Sequence, residues 1–93
     1  MVIGINWYEG MFDPGYVKDA TGTYRITVVP TGAIAGGHCL LVNGVNVEAQ
    51  VYRLKNSWGR GWGANGRASI SFSNMARLLS EDGEACAAME LKL

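Results

Sequence analysis

Two apolar segments flank a polar, glycine-containing tip between residues 38 and 63, and this pattern predicts a β-hairpin. If the tip is centred on Val47, residues at equal distances from it face each other. His38 would then lie directly opposite Asn56. Opposed residues share a face of the sheet, so the hairpin should bring an imidazole beside a carboxamide.

Three further segments predict strands. Met1–Ile5 is an apolar run typical of a buried strand, and Tyr24–Val29 is rich in β-branched residues. In Arg67–Phe72, polar and apolar residues alternate as in a strand with one buried face. With the hairpin, these segments favour a small, mainly antiparallel β fold.

Glycine and proline divide the remaining chain into loops and one helix. Asn6–Thr23 reads as a long aromatic loop with room for one helical turn, and Pro30–Gly37 and Gly59–Gly66 read as turns. A short helix is expected near residues 74–81, capped by Ser73 or Asn74, with Met75, Leu78 and Leu79 on one face. Cys86–Leu93 alternates as a last strand.

The composition indicates one domain spanning residues 1–93, with a modest core. Eight basic and eight acidic side chains cancel, which gives no charge argument for nucleic acid or an anionic membrane. Arg53, Lys55, Arg60 and Arg67 lie close together in sequence, and we interpret them as a solvated strand face.

The sequence also bears on the cellular compartment. No segment approaches the roughly 20 apolar residues of a membrane span, and no basic-then-apolar leader pattern is visible. Cys39 and Cys86 are too few for a disulfide framework, although one bridge between them is feasible. We expect two free thiols and a cytoplasmic protein.

His38 and Asn56 are the candidate catalytic residues. An asparagine amide can hold the ring and tautomer of a histidine that acts as a general base. Trp58 follows Asn56 by two residues, and Trp62 lies a few residues further on. A nucleophile is not evident, because Cys39 follows His38 on one strand and should point to the opposite face.

The other candidate chemistries are weaker. Cys86 has no helix N-terminus to lower the pKa of its thiol, so a buried, inert thiol is the default. Ser57 has no visible base of its own. One histidine and two distant cysteines lack the spacing of a metal site, and no cofactor is expected.

The motif around Asn56 resembles the papain-like cysteine peptidases. Gly37-His38 is followed by Lys55-Asn56-Ser57-Trp58-Gly59 and then by Gly61-Trp62-Gly63, Asn65 and Gly66. In that family the histidine is the general base, the asparagine orients it, and the tryptophan shields their hydrogen bond. The match covers the C-terminal β lobe, which begins with a strand such as Val2–Ile5. The residues from Trp7 to Pro14, and Glu84-Ala85, look most like bacterial and bacteriophage members.

The resemblance implies an antiparallel half-barrel and a cysteine endopeptidase site, but the family's nucleophile lies far upstream on a separate lobe. Our first hypothesis is a non-catalytic protein-binding module that uses the exposed cleft face around His38, Trp58 and Trp62. The second is a fragment or half of a peptidase whose cysteine is on another polypeptide. Either way we expect no peptidase activity from the chain alone. A protein partner or a homodimer should cover this face, in the host cytoplasm if the chain is phage-encoded.

Overall fold

The computed structural model describes residues 1–81, which form one mixed six-stranded sheet, a 3-10 turn and one helix. The strands are β1 (Val2–Tyr8), β2 (Gly15–Lys18), β3 (Tyr24–Thr27), β4 (Ile34–Asn46), β5 (Val51–Lys55) and β6 (Arg67–Ser71). The 3-10 turn covers Glu9–Met11, and helix α1 covers Phe72–Ser80. The order across the sheet is β1-β4-β5-β6-β3-β2.

The sheet confirms the mainly β prediction and corrects its geometry. We expected an antiparallel half-barrel, but β3 runs parallel to β6, with Thr27 paired to Ser69. Strand β5 occupies one edge of β6, and the β2–β3 hairpin adds to the other edge. Within residues 1–81 the edge strands β1 and β2 do not pair with each other, so the sheet stays open.

The segment Asn6–Thr23 is not the long loop that we predicted. Strand β1 continues to Tyr8, because its last residues pair with the glycine-rich start of β4. The 3-10 turn provides the single helical turn, and β2 follows it. All four residues of β2 are exposed, so the strand has no buried face that could produce a hydrophobic alternation.

The long strand β4 absorbs two segments that the sequence separated. It begins at Ile34, inside the predicted turn Pro30–Gly37, and runs without a break through His38. Gly36 and Gly37 pair with Trp7 and Asn6 of β1, beside an irregularity at Ala35, and Gly36 has a φ of 158°. Glycine is read as a turn signal from sequence, but here the β1 partner supplies the hydrogen bonds that keep the backbone extended.

The hairpin between β4 and β5 forms, but in a different register from the predicted one. Val45 pairs with Tyr52, and beyond an irregularity between Val42 and Gly44 the pairing becomes Val42 with Leu54. Asn43 is therefore the additional residue of a β-bulge. The tip falls at Val47–Gln50, further along the chain than an axis at Val47.

Helix α1 begins earlier than predicted. Its N-cap is Ser71, whose Oγ accepts a hydrogen bond from the Asn74 backbone N–H at 3.1 Å, so the assignment of the cap to Ser73 or Asn74 is wrong. Met75 and Leu78 are buried as expected, whereas Leu79 is 54% exposed. The predicted strand Cys86–Leu93 lies outside the described residues.

Glu81 ties the end of α1 to strand β1. Its carboxylate accepts hydrogen bonds from the Tyr8 hydroxyl at 2.6 Å and from Asn6 Nδ2 at 3.2 Å. These bonds, with the Tyr8 contact the strongest, lower the pKa of Glu81. No helix within residues 1–81 is long and apolar enough to cross a bilayer.

The core is a single cluster on the face of the sheet that α1 helps to cover. Leu54, Ile70 and Leu78 are completely buried there, and β1 adds Ile5 and Trp7. Because Trp7 belongs to both this core and the surroundings of His38, the site is built on the main hydrophobic cluster rather than on a peripheral loop.

Asp19 organises the β2–β3 turn, and we expect it to make stability depend on pH. Its Oδ1 accepts hydrogen bonds from the backbone N–H and hydroxyl of Thr21 and from the Thr23 N–H, and its Oδ2 accepts from Arg25 Nε at 2.5 Å. The Thr21 hydroxyl, followed by the Arg25 guanidinium, holds the pKa of Asp19 well below its usual range.

A carboxyl group whose pKa is lowered by folding stabilises the fold fully at pH values above its unfolded-state pKa of about 3.9. This stabilisation is lost as the pH falls below that value. The urea midpoint should therefore drop between about pH 5 and pH 2, and drop less in Asp19→Asn. Asp13→Asn, at an exposed acid, is the control. An equal acid dependence in the wild type and Asp19→Asn would contradict this role.

Candidate functional site

The predicted contact between His38 and Asn56 is confirmed. Their side chains meet with His38 Nε2 at 2.8 Å from Asn56 Oδ1. The same Oδ1 also accepts a hydrogen bond from the Ser57 backbone N–H at 2.9 Å. Since a backbone N–H can only donate, this atom is the amide oxygen, and Nε2 of His38 must carry the proton. In the neutral ring, Nδ1 is then left with a lone pair that can accept a proton.

The bulge at Asn43 explains how the two side chains reach each other. Continuing the pairing of Val42 with Leu54 places Leu40, not His38, opposite Asn56. The His38 ring therefore reaches Asn56 along the diagonal, a separation that long and aromatic side chains can span. If Asn43 took a regular place in the ladder opposite Leu54, the outer half of β4 would shift by one position and present His38 to the other face.

An aromatic shell surrounds the imidazole. The Trp58 ring lies 4.5 Å from the His38 ring, centroid to centroid, and Trp7 approaches the same ring edge-on at 4.8 Å. Phe12 stacks on Trp58 at 5.4 Å, with the two planes only 5° apart. The imidazole is thus fixed by one hydrogen bond and two aromatic contacts, which restricts its rotation.

Trp62 lies behind this shell rather than at its open side. It is 5% exposed, and its indole Nε1 donates a hydrogen bond to the Met11 carbonyl at 3.1 Å. The tight loop that carries it requires Gly63 and Gly66, which have φ angles of 58° and 86°. Trp58, by contrast, is 41% exposed. Of the two predicted binding tryptophans, Trp58 is the one that a partner can reach directly.

A small pocket opens beside the His38 ring. Its volume is about 110 Å³, and its lining residues are Trp7, Phe12, Ala35, Gly36, Gly37, His38 and Trp58. Sequence reasoning assigned Trp7 and Phe12 to a loop that caps the sheet and did not connect them to the site. The sequence does show a cluster of aromatic residues between positions 7 and 12. Its location beside His38 follows only from the pairing of β1 with β4.

Asn56 is buried, and one of its polar atoms is unpaired among the described residues. The residue is 4% exposed, and among residues 1–81 its Nδ2 has no hydrogen-bond partner. A buried donor without a partner costs about 1–3 kcal/mol, and an asparagine there needs a compensating role. The indole Nε1 of Trp7 is in the same situation.

Cys39 does not have the free thiol that we expected. It is disulfide-bonded, and Cys86, the other cysteine of the chain, lies outside the described residues. Cys39 also follows His38 directly on β4, so its side chain points to the opposite face. Within residues 1–81, no group of three or more His, Cys, Asp and Glu side chains could hold a metal ion.

Comparisons with known proteins leave the family of this chain undefined. A scan against protein-family models gave no match, and a search of curated proteins found none either. The functional argument therefore depends on the geometry around His38.

Proposed function

We propose that this chain supplies the histidine–asparagine half of a papain-like thiol site, with the nucleophilic cysteine on a polypeptide segment that docks against the pocket beside His38. Asn56 is the orienter in this proposal, His38 the general base, and Trp58 the cover over their hydrogen bond. The chain would then be a papain-like β lobe that has no peptidase activity by itself.

The observation that carries the proposal is the buried Asn56 amide. Its oxygen receives two hydrogen bonds, which orient the His38 ring, while its nitrogen has no partner among the described residues. A buried apolar residue at this position would avoid the unpaired donor and would be easier to accommodate. Proteins leave buried polar groups unpaired mainly at functional sites. The arrangement therefore favours a histidine that works as a base over one that has lost this role.

The ring orientation supports the same role. A base must present a lone pair to the thiol from which it takes a proton, at a separation of about 2.6–3.2 Å. Because Nε2 is engaged with Asn56, Nδ1 is the atom left for this task. The small pocket beside the ring gives a docking thiol room to approach.

An introduced cysteine tests the base directly. Ala35 lines the pocket beside His38, so Ala35→Cys places a thiol at the wall of the pocket that the imidazole also lines. At pH 7 we expect iodoacetamide to alkylate this thiol about tenfold faster than an ordinary exposed one, because His38 promotes thiolate formation. Val47→Cys, at the exposed hairpin tip, is the reference thiol.

Two double variants assign the effect to the site. Adding His38→Gln should remove the acceleration completely, and adding Asn56→Ala should reduce it, because the ring loses its orienting hydrogen bond. The proposal fails if Ala35→Cys reacts no faster than Val47→Cys, or if the acceleration survives His38→Gln. Unchanged thermal unfolding of each variant confirms that the fold is intact.

A second candidate is the non-catalytic protein-binding module. It is favoured by the exposed stack of Phe12 and Trp58, which are 50% and 41% exposed. Aromatic side chains are enriched at protein interfaces, and a stacked pair forms a rigid apolar surface that loses little entropy on binding. The occupant would be a second copy of the chain about a two-fold axis, or a different protein.

Self-association distinguishes the second candidate from the first. If the stack is a dimer interface, light scattering at high micromolar concentration should give about twice the monomer mass, and Trp58→Ser should return it to the monomer. Tyr16→Ser, at a more exposed aromatic on the edge strand β2, should leave the dimer unchanged. A monomer at every concentration excludes the homodimer.

The cellular compartment of the protein is a separate proposal. We expected the cytoplasm, or the host cytoplasm for a phage-encoded chain, partly from free thiols. Disulfides are typical of oxidising compartments, so the bonded state of Cys39 counts against that location. Labelling by a maleimide of protein taken from cells without reductant decides it, since a reducing cytoplasm would leave the thiols reactive.

A further inference from the structure

A second cavity is separate from the His38 pocket and is strongly basic. It has a volume of about 380 Å³, and the residues that line it are Arg25, Ile26, Asn43, Arg53, Ala64, Arg67, Ala68 and Ser69. No residue lines both cavities. Arg53 precedes the buried Leu54 on β5, so the two side chains point to opposite faces of the sheet.

Three arginines line this cavity, and among residues 1–81 no acidic residue does. Arg25 is paired with Asp19 through its Nε. Among residues 1–81, neither Arg53 nor Arg67 makes a salt bridge. The cavity therefore has an excess of about two positive charges, although the whole chain is neutral. A local excess of positive charge in a neutral protein indicates a specific anion site more clearly than a basic overall composition would.

Two features show that this clustering is unfavourable without a ligand. Arg67 is paired across the sheet with Lys55, and like charges directly opposite each other destabilise a sheet. Arg53 pairs with Ser69, two positions along the same two strands and on the same face, so the basic side chains are neighbours. An anion bound between them would relieve this repulsion.

Gly44 leaves space beside β4 that the Arg53 head group occupies. The two residues are paired across β4 and β5, and a methyl group placed on Gly44 would overlap the Nε, Nη2 and Cζ atoms of Arg53. A larger residue at position 44 would therefore require the guanidinium to move.

We propose that this cavity binds a phosphate group, as free phosphate or as a small phosphate ester. Guanidinium groups recognise phosphate through paired, charge-assisted hydrogen bonds. A phosphate monoester carries about −1.5 to −2 charges at pH 7, which matches the two arginines that have no acidic partner. Ser69 and Asn43 add neutral polar groups, and the volume falls within the range of about 300–1,000 Å³ of small-molecule sites. The proposal is independent of the function assigned to His38.

Titration with inorganic phosphate tests this site on the intact chain. At constant ionic strength, we expect saturable amide shifts in NMR spectra at Ser69, Arg53 and Gly44. Arg53→Gln and Arg67→Gln should each weaken binding about tenfold, as expected for the loss of a charge-assisted contact. Gly44→Ala should also weaken it, with the charge of the chain unchanged, because the Arg53 head group must move.

The controls distinguish a specific phosphate site from non-specific attraction of the anion to basic side chains. Arg60→Gln removes the same charge from an exposed loop position outside the cavity and should leave the affinity unchanged. Acetate should bind much more weakly than phosphate, since it carries a single charge. Shifts that do not saturate, equal losses in Arg60→Gln and Arg53→Gln, or equal binding of acetate would each overturn the proposal.

Discussion

Replacing Trp7 with alanine should lower the free energy of unfolding by about 3–5 kcal/mol, the usual cost of removing a buried aromatic side chain. Trp7 is 2% exposed and contacts the rings of His38, Trp58, Trp62 and Phe12. Its loss would leave a cavity at the junction of the core and the site. For a domain with a typical stability of about 5–15 kcal/mol, this change removes a large share. Urea unfolding followed by circular dichroism measures it.

Trp58→Ala is the matched control, because it removes the same side chain from a position that is 41% exposed. It should cost clearly less, since much of its ring already faces water. The two variants should also differ at His38: the imidazole resonances should broaden in Trp7→Ala, because the ring loses an edge contact within the core. Equal destabilisation by the two substitutions would contradict the assignment of Trp7 as the packed centre of the site.

Insertion of one alanine between Leu41 and Val42 should separate His38 from Asn56. Val42 and Gly44 keep their partners on β5, so the insertion shifts the outer half of β4 by one position, which turns His38 and Leu40 toward the opposite face. Losing the burial of Leu40 alone costs about 1.5–3 kcal/mol. We expect a marked fall in stability and the disappearance of the hydrogen-bonded Nε2 proton from the imidazole NMR spectrum.

Asn43→Ala is the control for the insertion, because it changes a side chain of β4 but keeps the residue count. The bulge and the His38–Asn56 hydrogen bond should survive in this variant, with stability close to that of the wild type. If the insertion keeps the hydrogen bond while Asn43→Ala loses it, the side chain of Asn43 and not the register of β4 would be the determinant.

More of the site than of the surrounding fold could be predicted from the sequence. The motif around Asn56 led to the partner of His38, and their contact is confirmed at 2.8 Å. The pairing argument gave the correct contact from an incorrect register, because two effects compensate. The hairpin tip lies further along the chain than an axis at Val47, and the bulge at Asn43 returns His38 to the face of Asn56. A bulge leaves no reliable mark in a single sequence.

Other features depended on contacts between distant segments. Strand β2 is entirely exposed and therefore shows no hydrophobic period, and the glycines at the start of β4 are extended because β1 pairs with them. The basic residues interpreted as a solvated face are exposed as expected. That two of them, Arg53 and Arg67, line a cavity could not be predicted, since Arg25 approaches them only when β3 joins β6. Local propensity cannot report such tertiary pairings.

The order of the strands bears on how this chain folds. Strands β4, β5 and β6 are consecutive in the chain and adjacent in the sheet, whereas β1 and the β2–β3 hairpin join them from opposite sides. Loop closure is least costly for near neighbours, so we expect the three-stranded meander to form the folding nucleus and the outer strands to dock afterwards. Both His38 and Asn56 belong to the chain segment of that meander. The geometry of the pair would then arise early, and mutations in β1 would mainly accelerate unfolding rather than slow folding.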